Sequence, residues 1–538
     1  MQTVGFVVIV SLLLALGLSL QGTAPLAHAR TLAAHRLAGD RIAPAFQGFA
    51  GGSGTEEDPY LVETADQLDE VRDYLDAHFR QMADINLGVA PWNAGDRWEP
   101  IGSFGTDNNF TGSFDGRGYT ISNLTISRPT TTSQGLFGYV KDASLSNLNL
   151  LDVDIRAASI SGRLAASIKD SVVENVTVTG AVVSSLTEPY TAIGGLAGEM
   201  GTSALHHIAI TATVQGRTTV GGLLGRTLGG VIHHAHAVGS VVGQGDSIGG
   251  LVGYLGEGVP IVSNSYSHAA VTGADYVGGL VGKNYTGAVH RAYSTGLVTG
   301  TGGNVGGLLG SSGDRTADCY WDTETSGRDS SAGGEGVSGR TTAQMQQEAT
   351  YEHSNFVILW SIDEGKDYPV FQDLSAYDAP QPVDVTELEG TGAPEDPYLV
   401  TTIDELDAMR QDLTGHHRLG NDIDLAATVT WNQGRGWDPV GTSGTGNNFT
   451  GSCDGDGYTL RNLTINRPKT TAQGLFGYVK DASVSNLRLQ DVDVQAASIS
   501  GGLAASSRTT TEPRAAQPRG VLTAPRCARW PYCRACSS

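Results

Sequence analysis

One short phrase recurs five times between Ile193 and Gly310, and it constrains the fold more than any other feature of the chain. Each copy reads aliphatic-Gly-Gly-aliphatic-aliphatic-Gly, and successive first glycines lie 27, 28, 29 and 28 residues apart. Two weaker copies, at Gln134–Gly138 and Ser161–Ala165, extend the series to seven. A period in this range is typical of repeat architectures in which neighbouring units share one continuous core.

The composition of each repeat predicts a β-solenoid. The chain has 73 Gly and only 7% aromatic residues, and β-branched and small residues dominate the repeats. Glycines at the corners of a coil either adopt a positive φ or let neighbouring coils approach closely. We therefore predict an all-β fold, a right-handed parallel β-helix-like solenoid of about seven coils of about 28 residues. An N-terminal α/β cap is expected before it, and a partial duplicate after it.

The first residues predict export. An apolar run from Phe6 to Leu20 precedes Ala27-His28-Ala29, which has the form of a signal-peptide cleavage site. No Lys or Arg precedes the apolar run, so an uncleaved membrane anchor is the alternative. The predicted location is secreted or cell-surface, with membrane contact only if this segment is not cleaved.

A large duplication sets the remaining boundaries. Residues Trp437–Gly501 repeat Trp98–Gly162 at an offset of 339. The predicted order is: signal peptide 1–29, linker 30–50, N-terminal cap 51–97, solenoid 98–310, C-terminal cap 311–374, linker 375–389, second cap 390–436, truncated second solenoid 437–506, and anomalous tail 507–538. The Arg-, Pro- and Cys-rich tail is interpreted as out-of-frame translation, with a genuine disordered tail as the alternative.

Charge and cysteine content exclude several classes of protein. A formal net charge of −22 argues against nucleic-acid binding. The five cysteines have no regular spacing, so they do not predict a disulfide scaffold. We predict no cofactor, and the sequence does not indicate an oligomeric state.

These motifs together resemble the GLUG-motif family of secreted bacterial and archaeal repeat proteins. The resemblance rests on the repeats, on Asp58-Pro59-Tyr60-Leu61-Val62, on Phe110–Ile121, and on Tyr320–Gly327. It implies an exported surface or adhesion role and supplies no catalytic residue. Arg163 and Cys453 depart from the pattern, which puts in doubt the regularity of their coils.

Three sets of side chains are candidate sites. His206, His233 and His290 occupy the same repeat position, so they predict a column that either binds a transition metal or faces solvent. Asp152 and Asp154 are expected on one strand face, as a Ca²⁺ site, a glycosidase pair or a solvated surface. Six sequons are candidate glycan acceptors: Asn109, Asn123, Asn175, Asn284, Asn448 and Asn462.

The predicted function is non-catalytic. We expect an exported protein that acts in cell-surface adhesion, surface assembly, or binding of polysaccharide or cell-envelope components. A passive structural spacer is the first alternative, and a β-helix polysaccharide lyase or hydrolase is the second. No catalytic residue is assigned.

Overall fold

The computed structural model describes most of the chain between residues 48 and 508. The described residues are 48–105, 108–184, 190–313, 315–351, 354, 356, 359–372, 383–429, 431–432, 436–442 and 447–508. The predicted signal peptide, most of the predicted linker 375–389 and nearly all of the tail 507–538 lie outside them. Among the described residues, no helix is both long enough and apolar enough to cross a membrane.

A long sheet of 17 strands forms one side of the first solenoid. Its strands are β1 (Tyr60–Val62), β2 (His78–Gln81), β3 (Ile85–Asn86), β4 (Ser113–Asp115), β5 (Thr120–Ser122), β6 (Thr125–Arg128), β8 (Ser144–Ala157), β10 (Val172–Ser184), β13 (Ala204–Gly216), β16 (Val231–Gly243), β19 (Ile261–Ser267), β20 (Ala270–Gly273), β23 (Ala288–Ser294), β24 (Val298–Gly300), β27 (Thr316–Ala317), β28 (Cys319–Asp322) and β29 (Val337–Arg340).

Two further sheets complete each coil. The seven-stranded sheet contains β7 (Phe137–Lys141), β9 (Ala165–Lys169), β12 (Ala197–Met200), β15 (Leu224–Thr227), β18 (Val252–Leu255), β22 (Val281–Asn284) and β26 (Leu309–Ser311). The five-stranded sheet contains β11 (Ile193–Gly194), β14 (Val220–Gly221), β17 (Ile248–Gly249), β21 (Val277–Gly278) and β25 (Val305–Gly306). Strands of successive coils pair in parallel, so the predicted all-β parallel solenoid is confirmed.

The second solenoid repeats this arrangement over fewer coils. Its strands are β32 (Tyr398–Val400), β33 (His416–Leu419), β34 (Ile423–Asp424), β35 (Ser452–Asp454), β36 (Thr459–Arg461), β37 (Thr464–Gln473), β38 (Phe476–Lys480), β39 (Ser483–Ser485), β40 (Arg488–Gln490), β41 (Asp493–Ser500) and β42 (Ala504–Arg508). One antiparallel pair, β30 (Trp360–Ser361) with β31 (Val370–Phe371), lies between the two solenoids in sequence. The α-helices are Ala65–Glu70, Thr323–Ser326, Thr342–Met345 and Ile403–Ala408.

The number of coils is larger than predicted. The described residues form about 13 turns, whereas the repeat phrase alone predicts about seven. Each of the seven predicted copies does supply one strand of the seven-stranded sheet. The second solenoid adds turns of its own, and flanking segments without the glycine phrase add others. For example, β1 and β2 pair in parallel below β4, and β29 pairs in parallel above β28.

The double glycines are required because backbones meet there. A Cβ added to Gly221 would lie 2.0 Å from the carbonyl oxygen of Leu224, and one added to Gly222 would lie 2.1 Å from that of Gly250. Real Cβ atoms do not approach backbone this closely. Neither glycine has a positive φ. Close approach between coils, rather than unusual dihedral angles, therefore explains the phrase.

Left-handed residues, not glycines, form one corner of each coil on the long sheet. At this corner φ is +54° for Asn147, +53° for Asn175, +53° for His207, +52° for His234 and +44° for Asn264. Asn and His are among the non-glycine residues that adopt this region most readily. Their side chains join successive coils: the Asn175 Nδ2 donates to the Asn147 Oδ1 at 2.8 Å, for example. This ladder fixes the bend and explains the polar residues at this repeat position.

Arg163 does not disturb its coil, contrary to the doubt raised by the sequence. Its side chain is fully buried, and β9 pairs in register with β12. The guanidinium donates from Nη2 to the carbonyl oxygen of Gly180 at 2.6 Å and from Nη1 to that of Gly195 at 3.3 Å. Burial lowers the pKa of Arg163 to about 9, an effect that the charge of Asp154 partly offsets. The second departure, Cys453, is also buried and pairs in register with His417.

Asp322 anchors the segment that closes the first solenoid. Its carboxylate is fully buried and caps helix Thr323–Ser326, accepting from the backbone N–H groups of Glu324 and Thr325. The other oxygen accepts from the hydroxyls of Thr342 and Tyr368, both at 2.7 Å. One carboxylate therefore ties β28 to two later parts of the chain.

We expect Gly222→Ala to destabilise the first solenoid by at least about 2 kcal/mol, because the new methyl group must displace the backbone of the next coil. Urea unfolding of the full chain measures this change. Gly303→Ala is the matched control, since a Cβ there meets nothing within 4 Å. Equal stability of the two variants would contradict the role assigned to the double glycine.

Candidate binding surfaces

The predicted histidine column exists, and it is buried rather than facing solvent. His206 pairs in register with His233, which pairs with Ser263, which pairs with His290. His206 and His233 are each 2% exposed. The His233 Nδ1 lies 2.7 Å from the Ser263 Oγ. The expectation of a solvent-facing column is therefore wrong for His206 and His233, while the register expectation is confirmed.

A second set of histidines lies beside this column. His207 and His234 occupy the left-handed corner, and the His234 Nδ1 lies 3.1 Å from the His207 Nε2. Two residues after His234, His236 stacks on Tyr266, with ring centroids 4.8 Å apart and an angle of 3° between the ring planes. Tyr266 stacks in turn on Tyr293 at 5.1 Å. Because the strands are in register, these rings form one continuous aromatic ladder.

The closing segment covers this ladder. The ring of Phe371 lies 5.8 Å from both His234 and His236 and 5.2 Å from Tyr266. Trp360 lies 5.8 Å from Tyr266. The ring of Phe371 thus shields His234 and His236 from water, and burial of this kind favours the neutral imidazole.

Burial accordingly lowers the pKa of the histidines. The pKa of His207 falls to about 4 by burial alone, and that of His236 falls to about 4 for the same reason. Burial also lowers the pKa of His268 to about 4, with a smaller contribution from His236. For His206 and His233 the pKa is well below its ordinary value, first through burial and then through neighbouring positive charge.

The metal prediction gains no support from this geometry. Within the described part of the chain, no group of three or more His, Cys, Asp or Glu side chains is arranged to hold a metal ion. His206, His233 and His290 share a column, but Ser263 interrupts it. Metal binding by these histidines stays a prediction.

The aspartate pair does not form a joint site. Asp152 has a φ of +56°, and the register between β8 and β10 shifts opposite it. The regular alternation expected for the two side chains is therefore broken between them. The Asp154 Oδ2 lies 4.0 Å from the Arg156 Nε. This geometry does not bring the two carboxylates to one ligand.

The six sequons differ in accessibility. Asn123 and Asn175 are exposed, and both lie at left-handed corners. Asn284 and Asn462 are 3% and 4% exposed, which leaves no room for a glycan in the folded chain. Asn109 and Asn448 are partly buried. Glycosylation therefore stays a prediction, for which Asn123 and Asn175 are the better placed acceptors.

An outward column on the seven-stranded sheet is not among the candidate sites predicted from the sequence. Its members are Tyr139, Ser167, Glu199, Arg226, Tyr254, Lys283 and Ser311, paired in register from coil to coil. Each except Ser167 directly follows the last residue of its copy of the repeat phrase, and Ser167 follows Ala165 by two residues, so the position was visible in the sequence. Two residues further on, Lys141 pairs with Lys169, and Leu228 and Tyr285 are 48% and 57% exposed. We call this surface the outer face.

Comparisons with known proteins show partial similarity. No protein-family model matches the chain. The chain is 26% identical to halomucin of Haloquadratum walsbyi over 593 residues, which covers 84% of this chain and 6% of halomucin. It is 33% identical over 398 residues to a protein of Evansella cellulosilytica named "Putative Gly-rich membrane protein", covering 60% of this chain and 45% of that protein. The chain thus spans less than half the length of either curated relative.

The solved structures similar to this chain include a protease. Its crystal structure is named "putative immunoglobulin A1 protease" from Bacteroides ovatus, with a TM-score of 0.41 and 20% sequence identity. The match covers 60% of this chain and 95% of that one.

We expect acid to destabilise the first solenoid between about pH 6.5 and pH 4. In this window the unfolded histidines, with a pKa of about 6.5, bind protons that the buried ones do not. The free energy of unfolding therefore falls as the pH decreases, and the histidines contribute nothing above the window. His236→Tyr extends the aromatic ladder and removes one such proton. Within the window, the variant should therefore reduce the dependence of the free energy of unfolding on pH by about 1.4 kcal/mol per pH unit.

Urea unfolding of the full chain from pH 4 to pH 7.5 tests this expectation. Charged groups beside the column include Glu174, Arg291, Asp318 and Asp493, and they are the same in the wild type and the variant. His78→Gln serves as the control, because His78 is half-buried outside the column and contacts Ser113. An unchanged slope in His236→Tyr would refute the assignment.

Proposed function

We propose that this is an exported, non-catalytic repeat protein that acts at the cell surface in adhesion, surface assembly or binding of polysaccharide and envelope components. One observation carries the proposal: outward side chains recur in register on successive coils of the seven-stranded sheet. A repetitive ligand can contact one outward side chain on each successive coil along such a stack. Binding of this kind depends on many weak contacts rather than on one pocket.

The similarity to halomucin and to a membrane protein supports a location at the cell surface. Both relatives are much longer than the region they share with this chain, so their activities belong to the whole proteins. The resemblance to GLUG-motif proteins points the same way and remains a prediction. An apolar segment at residues 6–20 is consistent with export.

The two alternatives make different demands on the structure. A polysaccharide lyase or hydrolase needs acidic or basic groups that converge on the substrate. The aspartate pair suggested for that role is separated by the register shift at Asp152. A passive spacer needs only the stack itself, and it would tolerate charge changes on any outward face. Adhesion requires that at least one face retain a ligand.

The full chain, incubated with immobilised polysaccharides and cell-envelope preparations, is expected to be retained without releasing soluble sugars. Retention is measured by depletion from solution, and products by reducing-sugar assay in the same samples. The acid-unfolded chain serves as the control for nonspecific adsorption. Release of products would identify an enzyme, and failure to bind any preparation would favour the spacer.

A further inference from the structure

The outer face is unusually rich in lysine for this chain. Acidic residues outnumber basic ones by 56 to 34 overall, and only six of the basic residues are lysines. Three of those six, Lys141, Lys169 and Lys283, lie on this one sheet. A fourth, Lys480, is the equivalent of Lys141 in the second solenoid. Lysine is thus concentrated where the repeats present their outward side chains.

The cationic side chains of the outer face differ in whether they form a salt bridge. The Lys141 Nζ lies 3.6 Å from the Asp142 Oδ2, and the Arg226 Nη2 lies 2.5 Å from the Glu199 Oε1. Lys169 and Lys283 have no carboxylate oxygen within 4.0 Å among the described residues. These two ammonium groups therefore remain available to an external anion.

Aromatic rings lie between these cations. Tyr254 pairs in register with Lys283, and Tyr285 is exposed two residues further along the same strand direction. The Lys283 Nζ lies 4.6 Å from the centre of the Tyr276 ring, a cation–π contact that holds the ammonium on the face. At the other end Tyr139 meets Phe104 edge-on, with centroids 5.3 Å apart. Tyrosine rings therefore lie on the same face as the lysines, and Tyr254 is on the coil next to Lys283.

We propose that the outer face binds a linear polysaccharide that carries carboxylate groups, with the polymer running along the stack of coils. This inference rests on the proposed function and names its ligand class and surface. The tyrosine rings contact the apolar faces of the sugar rings. Lys169 and Lys283 contact the carboxylates.

The size of the face favours a single polymer chain over a protein partner. Seven strands spaced about 4.8 Å apart span roughly 29 Å, and strands of four or five residues are about 15 Å wide. The resulting footprint, on the order of 430 Å², is about half of the roughly 800 Å² per partner that stable protein complexes bury. A linear polymer fits that footprint lengthwise.

The net charge of −22 does not prevent this binding. At physiological ionic strength the Debye length is about 8 Å, so exposed carboxylates beyond that distance repel the polymer only weakly. Four cations, Lys141, Lys169, Arg226 and Lys283, lie among the acidic residues Asp142, Asp170, Glu199, Glu257 and Asp275, the last of which interacts electrostatically with Lys283. The proposed contact with carboxylates therefore depends on the two lysines that have no salt bridge, rather than on net charge, and it should weaken as salt rises.

The test measures retention of the full chain on polygalacturonate, alginate and neutral dextran at low and high salt. The wild type should be retained on the two uronate polymers and not on dextran, and high salt should release it. Lys169→Gln and Lys283→Gln should each weaken retention at least fivefold, and Tyr254→Ala should weaken it as well. Lys366→Gln, which removes an exposed lysine paired with Asp363 outside the face, should have no effect.

The outcomes separate this inference from the proposed function. Uronate binding that survives both lysine variants, or that Lys366→Gln weakens equally, would overturn the surface and leave the function standing. Equal retention on dextran, or no effect of salt, would overturn the carboxylate assignment alone. A wild type that binds neither these polymers nor any envelope preparation would overturn both. Circular dichroism confirms that each variant is folded.

Discussion

The close approach of backbones at the paired glycines is the constraint on which the rest of the structure depends. At Gly195, Gly222, Gly250 and Gly279 a methyl group would overlap the carbonyl oxygen of the glycine one coil above. With no side chain there, each coil rests directly on the next, and the strands on either side pair in parallel register. Every column in the molecule, including the histidines, the aromatic ladder and the outer face, follows from that register.

The same register determines what a substitution can do. A side chain in one coil contacts its equivalents in the two neighbouring coils, so interactions of the same kind can continue along a column. Amide and imidazole groups at the left-handed corner join into hydrogen-bonded ladders, and rings at the covered position stack. Arg163 shows the tolerance of this scheme. A long charged side chain occupies a glycine position because carbonyl groups of its own coil and of a neighbouring coil accept its hydrogen bonds.

Covered and open faces have different roles. The closing segment, held by the buried Asp322 carboxylate, covers His234, His236 and Tyr266 of the long sheet with the ring of Phe371. Those histidines make the stability of the fold depend on pH, and because they are buried they are not accessible to a ligand. The seven-stranded sheet has no such cover among the described residues, and it carries half of the lysines in the chain. Ligand binding is therefore expected on the open sheet, where outward side chains recur on each coil and are accessible to solvent.

The sequence by itself determined the parallel solenoid, the position of each repeat, the duplication and the alignment of His206 with His233, because a fixed period can be satisfied only by stacking equivalent residues. It did not give the coil count, because β1, β2 and β29 join the stack without the glycine phrase. Nor did it reveal that His206 and His233 are buried, that Asp152 leaves the strand alternation, or that the lysines share one face. Those properties depend on which segments cover which sheet and on local register shifts, and only the tertiary structure decides them.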